Sequence, residues 1–233
     1  MRTMKLAPSV FGAGIGNLSK QLKILEENNV ELLHVDVMDG HFCPNLTLSP
    51  DLVKAVCSVA KRPVEVHLMT ERPGEWIERF AGAGAAMLSL HAETINAAAF
   101  RLMREVRAAG CRVGIVLNPA TPLDSIRHYI DETDRLTLMT VDVGYAGQPM
   151  VPQVVSKIRE AAAFKCKSGL SYEIQVDGCC NEKTYRTYAE AGAEMLVMGS
   201  GLFGLDTDLE KALQIMRQQQ RAALAGMKQV ACG

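Results

Sequence analysis

The sequence predicts an α/β protein, a (β/α)8 TIM barrel in which eight strands alternate with eight helices. Short apolar segments rich in β-branched residues alternate with longer segments of helical periodicity along the chain. There are eight such strand–helix pairs, and 233 residues is a length typical of these barrels. No linker rich in Pro, Gly or Ser divides the chain, so we expect one domain over residues 1–233, with 218–233 as a frayed C-terminal tail.

The period of the apolar residues distinguishes the predicted strands from the predicted helices. The strands are short apolar runs that end close to Gly, Asp or Pro. In the helices, apolar residues recur every three or four positions; Pro73 and Pro122 lie near helix starts, and Gly82 and Gly110 lie near helix ends. In chain order the pairs are strand 5–9 and helix 18–25, strand 32–37 and helix 52–59, strand 63–69 and helix 73–82, strand 87–91 and helix 95–109, strand 112–117 and helix 121–130, strand 136–141 and helix 154–164, strand 172–176 and helix 184–191, and strand 195–198 and helix 209–217.

The composition excludes several classes of partner. The net charge is -1 and the charged residues are scattered, so the chain has no electrostatic footprint for nucleic acid or an anionic membrane. Seven cysteines without a C-x-x-C pair argue against a disulfide framework or a thiolate zinc site and favour reduced thiols. Residues 1–17 contain no apolar core of the roughly 7–15 residues typical of a leader, and no uninterrupted apolar run reaches membrane-spanning length. We therefore expect a cytoplasmic protein whose partner is a small molecule.

The segment HVDVMDGH, residues 34–41, contains the first candidate site. Because side chains on a strand alternate between its faces, His34, Asp36 and Met38 share one face. A buried imidazole and carboxylate cost several kcal/mol unless each finds a partner. A divalent metal is one such partner. A hydrogen bond between the two side chains is the alternative.

Two other predicted strands also end in metal-ligand residue types, which favours the metal. His67 lies near the end of the third strand, and Asp177 follows the seventh. The C-terminal ends of barrel strands surround one mouth, so Asp36, His67 and Asp177 converge there, with His34 one inward-facing step below. The sequence thus predicts one divalent ion held by His34, Asp36, His67 and Asp177, and this donor set accepts zinc, manganese, cobalt or iron.

Glycine-bearing loops after the sixth, seventh and eighth strands predict a phosphate site. Barrels often bind phosphate through backbone N–H groups of such loops, without Lys or Arg. Ordinary turn formation is the alternative, because glycines after strands mostly make turns. The candidate phosphate-binding residues are Gly144, Tyr145, Ala146, Gly147, Gly178, Gly199, Ser200 and Gly201.

Several other residues lie near the predicted mouth. The hydroxyl of Ser9, at the end of the first strand, can bind a substrate oxygen or form a local turn. Glu65 shares a face with His67, and His91 ends the fourth strand; their roles stay open. Three methionines on or after the site-bearing strands can form an apolar lid over a reactive intermediate or simply fill the core. They are Met38, Met69 and Met139.

The predicted site suits acid–base chemistry on a sugar phosphate. No G-x-G-x-x-G motif follows the first strand, so we expect no organic cofactor. A metal that binds a ketose carbonyl and the neighbouring hydroxyl would stabilise the enediolate formed when the adjacent C–H loses its proton. Asp36 and Asp177 could remove a proton from one face and return one to the other. This reaction inverts one carbon and is an epimerisation.

The motifs HVDVMDGHFCPNLTLSP, VEVHLM, VLNPATP, MTVDVGYAGQPMVP, VDGCCN and GSGLF resemble the ribulose-phosphate 3-epimerase family from Ala7 to about Phe203. The resemblance implies a metal-dependent barrel of the ribulose-phosphate-binding type and a homo-oligomer, either a dimer or a hexamer. It implies the same four metal ligands, with Asp36 as proton acceptor and Asp177 as proton donor. It also implies substrate contacts at Ser9 and His67, phosphate contacts that include Cys179, and a cluster of the three methionines.

Four stretches resemble the branch of this family that acts on D-allulose 6-phosphate: NLTLSP, HAETIN, MTVDVGYAGQP and YEIQVDGCCN. We therefore expect interconversion of D-allulose 6-phosphate and D-fructose 6-phosphate. The alternative is the pentose reaction between D-ribulose 5-phosphate and D-xylulose 5-phosphate. Three departures from the usual pattern, at Val143, Cys179 and the GAGIG loop, affect neither the metal ligands nor the acid–base carboxylates.

Two competing classes of function are disfavoured. Related barrels that decarboxylate or condense use a D-x-K-x-x-D signature, but Met38 stands two residues after Asp36. A barrel that only binds sugar phosphate would have no need for the intact set of two His and two Asp, because buried charges are costly.

Overall fold

The computed structural model describes residues 4–47 and 49–227. Its strands are β1 Lys5–Pro8, β2 Leu33–Asp39, β3 Leu46–Thr47, β4 Val64–Met69, β5 Met87–His91, β6 Arg112–Leu117, β7 Arg135–Met139, β8 Glu173–Asp177 and β9 Met195–Met198. Its α-helices are α1 Leu18–Glu27, α2 Pro50–Val59, α3 Ile77–Gly82, α4 Ala92–Ile95, α5 Ala99–Ala108, α6 Val154–Lys167, α7 Tyr185–Ala191, α8 Ser200–Phe203 and α9 Leu209–Leu224.

Eight parallel strands form the barrel. They are adjacent in the order β1-β9-β8-β7-β6-β5-β4-β2. A parallel bridge between Ser9 and His34 joins the first and last members of this order and closes the ring. The predicted (β/α)8 fold is therefore confirmed. The two-residue strand β3 pairs antiparallel with β2. This strand was not predicted, because two residues are too few to show a period in the sequence.

Strand alternation separates an apolar layer from a polar barrel interior. Leu33, Val35 and Val37 of β2 belong to the main hydrophobic core. His34 and Asp36 take the opposite face, and the register with β4 sets them beside Glu65 and His67. Barrel interiors usually contain layers of bulky apolar side chains. Here several interior positions are polar and buried: His34, Glu65, Ser89, Arg135, Thr137 and Gln175.

Three of the predicted helices differ from the structure in type or continuity. The helix predicted over 73–82 consists of a 3-10 helix, Pro73–Glu75, followed by α3. The helix predicted over 95–109 is divided into α4 and α5 by a turn, in which the Ala98 backbone N–H donates to the Ile95 carbonyl at 2.7 Å. The helix predicted over 121–130 consists of two short 3-10 helices, Leu123–Ile126 and Ile130–Glu132. Leu123 and Ile126 are both buried, and their spacing of three residues matches the period of a 3-10 helix.

The last described helix extends beyond the boundary predicted from sequence. Gln220 and Leu224 are buried in α9, so the tail predicted from residue 218 starts inside a packed helix. Residues 228–233 of that tail lie outside the described residues. Cys43, Cys57, Cys111, Cys179 and Cys180 are free thiols, as expected, whereas Cys166 is disulfide-bonded. Among the described residues, no helix has the length and apolar character needed to cross a membrane.

Candidate active site

Four side chains converge at the mouth of the barrel. His34 and Asp36 come from β2, His67 from β4 and Asp177 from the end of β8. The His34 Nε2 atom lies 3.1 Å from Asp36 Oδ1 and 3.7 Å from Asp177 Oδ2. The His67 Nδ1 atom lies 3.2 Å from Asp36 Oδ1 and 3.6 Å from Asp177 Oδ2. One ring nitrogen of each histidine, Nε2 of His34 and Nδ1 of His67, thus faces both carboxylates.

This geometry fits one divalent ion. Tetrahedral coordination with bonds of about 2.0–2.1 Å separates neighbouring ligand atoms by about 3.3–3.4 Å. The four separations between a histidine nitrogen and a carboxylate oxygen, 3.1, 3.2, 3.6 and 3.7 Å, fall on both sides of that value. All four ligand atoms lie within 4.8 Å of one another. The predicted donor set is therefore assembled in a form that could hold a metal.

The electrostatics of the cluster favour a positive charge at its centre. Burial lowers the pKa of His34, but the charges of Asp36 and Glu65 raise that pKa well above its usual range. Burial, followed by the charge of Asp36, raises the pKa of Asp177 to about 6. Burial opposes ionisation of Asp36 too, but His34 and His67 hold its pKa well below the usual range. A divalent cation would replace the proton on His34 when it binds.

His34 is oriented from below by a buried carboxylate. Its Nδ1 atom lies 3.1 Å from Glu65 Oε2. Glu65 also accepts hydrogen bonds from Ser89 at 2.5 Å, from Arg135 at 3.0 Å and from Gln175 at 3.1 Å. Because Glu65 accepts from the Nδ1 side of the ring, Nε2 is left to face the carboxylate pair. The role of Glu65, open in the sequence analysis, is thus to hold this imidazole.

His67 is supported by a longer chain of contacts. Its Nε2 atom lies 2.9 Å from His91 Nε2, and His91 Nδ1 lies 3.2 Å from Glu93 Oε2. Glu93 Oε1 accepts hydrogen bonds from the Asn118 backbone N–H, at 2.8 Å, and from the Thr121 hydroxyl. Burial lowers the pKa of His91 to about 4. Burial opposes ionisation of Glu93, but hydrogen bonds from His91 and Thr121 lower its pKa.

A cavity that is open to solvent lies above the cluster. The three predicted lid methionines, Met38, Met69 and Met139, line it together with Val141 and Val197. Ser9 also lines the cavity, and its hydroxyl donates to Asp36 Oδ2 at 2.6 Å. This hydrogen bond holds Asp36 with Oδ1 toward the histidines. Ser9 thus contacts one of the two candidate acid–base carboxylates directly. Its contact with substrate stays a prediction.

The glycine loops after β7, β8 and β9 form another part of the cavity wall. The candidates Gly144, Tyr145, Ala146, Gly147, Gly178, Cys179, Gly199, Ser200 and Gly201 all line it. None of the described residues in its lining is Lys or Arg. A Cβ atom on Gly201 would lie 2.0 Å from the Cys180 carbonyl oxygen, so only glycine allows these two loops to pack together. Cys179 has a φ of 47°, a conformation that favours glycine.

Comparison with known families decides the identity of the chain. Residues 5–203 match the model of the ribulose-phosphate 3 epimerase family. The chain belongs to the ribulose-phosphate 3-epimerase family. The ribulose-phosphate 3-epimerase of Bacillus subtilis (strain 168) is 40% identical over 215 residues, which cover 92% of this chain and 98% of that protein. The enzyme of the same name from Methanocaldococcus jannaschii is 34% identical over 221 residues, covering 95% and 93%. This family member is accordingly an epimerase that acts on sugar phosphates.

Solved structures of low sequence identity have the same fold as this epimerase. 3-Hexulose-6-phosphate synthase from Salmonella typhimurium gives a TM-score of 0.67 at 17% identity, covering 94% of this chain and 100% of that chain. The tryptophan synthase alpha chain from Legionella pneumophila gives 0.64 at 14% identity, covering 97% and 94%. At such identities the likeness concerns the barrel alone.

Most site residues predicted from the sequence of this epimerase meet at one cavity. The exceptions are His34 and His67, which are fully buried below its lining. Both ring nitrogens of His67 face other side chains, so its substrate contact stays a prediction. Glu93 had no predicted role; the signals for it in the sequence are its position two residues after His91 and its place in the HAETIN stretch.

Proposed function

We propose that this sugar-phosphate 3-epimerase interconverts D-ribulose 5-phosphate and D-xylulose 5-phosphate. The observation that supports this substrate is the similarity to proteins named ribulose-phosphate 3-epimerase, at 34–40% identity over most of the chain. These relatives match over nearly their full length, at 98% for the Bacillus subtilis protein. The pentose reaction therefore takes precedence over the hexose reaction favoured by short sequence motifs.

In the proposed mechanism, Asp36 accepts the proton from carbon 3 and Asp177 donates one to its other face. Both carboxylates line the cavity, and each presents an oxygen to His34 and His67. A divalent ion held by the four residues would supply Lewis-acid stabilisation of the charge that develops on the substrate oxygens. The Ser9 hydroxyl holds Asp36 in position. The methionine lid keeps water from the reacting carbon, and the glycine loops offer backbone N–H groups to the phosphate.

The second candidate substrate is D-allulose 6-phosphate, favoured by NLTLSP, HAETIN and the other stretches that resemble the hexose branch. We would measure kcat/KM of the metal-loaded protein on both phosphates side by side. We expect ribulose 5-phosphate to be preferred by about tenfold or more, which is about 1.4 kcal/mol of transition-state discrimination. The same preference for allulose 6-phosphate would contradict the proposal. Unphosphorylated D-ribulose serves as the control for the phosphate loops.

Metal removal provides a separate test of the proposed chemistry. We expect that prolonged chelation, followed by removal of the chelator, lowers kcat by about 100-fold or more, because the charge on the substrate oxygens loses its stabilisation. Adding a divalent ion should restore turnover. Elemental analysis before and after treatment measures the metal content and distinguishes zinc, manganese, cobalt and iron. Full activity in a sample verified to be metal-free would refute the metal mechanism.

We also propose that the protein is a homo-oligomer, either a dimer or a hexamer, and the support for this is its resemblance to the epimerase family. Light scattering of the purified protein measures its mass, and 25.3 kDa would identify a monomer.

A further inference from the structure

The contacts beyond His67 form a continuous chain that ends on a carboxylate. His67 and His91 are fully buried, and their Nε2 atoms lie 2.9 Å apart. His91 Nδ1 lies 3.2 Å from Glu93 Oε2. The other oxygen of Glu93 accepts from the Asn118 backbone N–H and from Thr121. These contacts lie outside the cavity lining. The contact that links His91 and Glu93 to the four candidate metal ligands is the one between His91 and His67.

The hydrogen-bonding capacities of these groups determine where each proton lies. An ionised carboxylate only accepts hydrogen bonds, so His91 Nδ1 must donate to Glu93. A neutral imidazole has one N–H, and His91 Nε2 therefore accepts. The donor to it is His67 Nε2–H. His67 Nδ1 is then left with a lone pair directed at the space between Asp36 and Asp177.

We propose that Glu93 and His91 are positioning residues that hold His67 in the tautomer able to ligate a divalent metal through Nδ1. In the opposite tautomer, His67 Nδ1–H points at Asp36 Oδ1, 3.2 Å away, and blocks the ligand position. The Nδ1 atom of His34 contacts a carboxylate, that of Glu65, directly, whereas the Nε2 atom of His67 reaches the carboxylate of Glu93 through His91. This inference rests on the metal centre of the proposed function.

Glu93→Gln reverses the direction of this chain with little change of volume. The backbone N–H of Asn118 can only donate, so it keeps the oxygen of the introduced side-chain amide on its own side. The NH2 group of that amide then faces His91 Nδ1 and donates to it. The proton of His91 moves from Nδ1 to Nε2, and this Nε2–H group donates to His67 Nε2. The proton of His67 then moves from Nε2 to Nδ1. Each imidazole still has one proton, but the metal-binding lone pair of His67 is lost.

The test is the zinc affinity of the purified protein, measured by competition with a chromogenic chelator. Glu93→Gln is expected to weaken zinc binding by about 10–100-fold, as substitutions of groups that orient metal-ligating histidines do. Glu75→Gln is the matched control: Glu75 is exposed and pairs with Arg72. Its zinc affinity should equal that of the wild type. Equal zinc affinity of Glu93→Gln and the wild type would overturn the positioning role of Glu93 and His91 but not the metal centre. Wild-type protein that binds no zinc would overturn the metal centre as well.

A second measurement on the wild type needs no substitution and so remains decisive if Glu93→Gln fails to fold. The sequence has five histidines, which allows selective 15N-histidine labelling. Long-range 1H–15N spectra of the zinc-loaded protein report the protonated nitrogen of each ring. We expect His91 protonated on Nδ1 and His67 on Nε2. His91 protonated on Nε2 would overturn the proposal, and a merely structural role for His91 would not predict one tautomer.

Discussion

Asp177→Asn is expected to lower kcat by about 10²–10⁴-fold while the barrel stays folded, which is the usual effect of removing an acid–base group. An asparagine occupies about the same volume, but its amide is too weak an acid to donate a proton to carbon 3 and too weak a base to remove one. The amide is also a weaker ligand for a divalent cation. The measurements are kcat on the preferred ketose phosphate, metal content by elemental analysis and the circular dichroism spectrum.

An isotope experiment separates the donor role of Asp177 from its metal-ligand role. In deuterated water, metal-loaded Asp177→Asn with intact Asp36 should still exchange the carbon 3 hydrogen of one epimer but should form little of the other. Asp131→Asn, an exposed residue of a 3-10 helix, is the matched control and should retain full turnover. Turnover of Asp177→Asn within about tenfold of wild type, with metal bound, would show that another group donates the proton.

Glu65→Gln is expected to lower the free energy of unfolding by about 3–5 kcal/mol, the range for breaking one side of a buried ion pair. Glu65 is 1% exposed and accepts from four side chains. Burial opposes its ionisation, but Arg135 holds its pKa well below the usual range. The substitution leaves the buried Arg135 with Glu173 as its remaining carboxylate partner.

Urea denaturation of the metal-free protein tests this expectation, because it separates fold stability from metal binding. The transition midpoint should fall with no change in its slope. Glu105→Gln is the control: this residue is on the surface and pairs with Arg101 one helical turn away, so its loss should change stability by less than about 0.5 kcal/mol. A loss below about 1 kcal/mol for Glu65→Gln would mean that the buried network reorganises around the amide.

Local sequence patterns were sufficient to predict the barrel and to predict that the candidate metal ligands lie at its mouth. Alternation along β2 put His34 and Asp36 on one face, and the parallel strand order brought His67 and Asp177 to them. Local patterns failed where the length of an element was decided by packing. The 3-10 helices over 123–132 and the break at 96–98 depend on which side chains reach the barrel, and helical spacing alone does not contain that information.

The sequence by itself determined the fold, the four candidate metal ligands and the glycine loops, because each depends on a period or motif within one segment. Only the tertiary structure decided what holds those ligands in place. Glu65 meets His34 from 31 residues away, and His91 meets His67 from 24 residues away. Such partners are chosen by the register between strands, and that register results from the packing of the whole barrel.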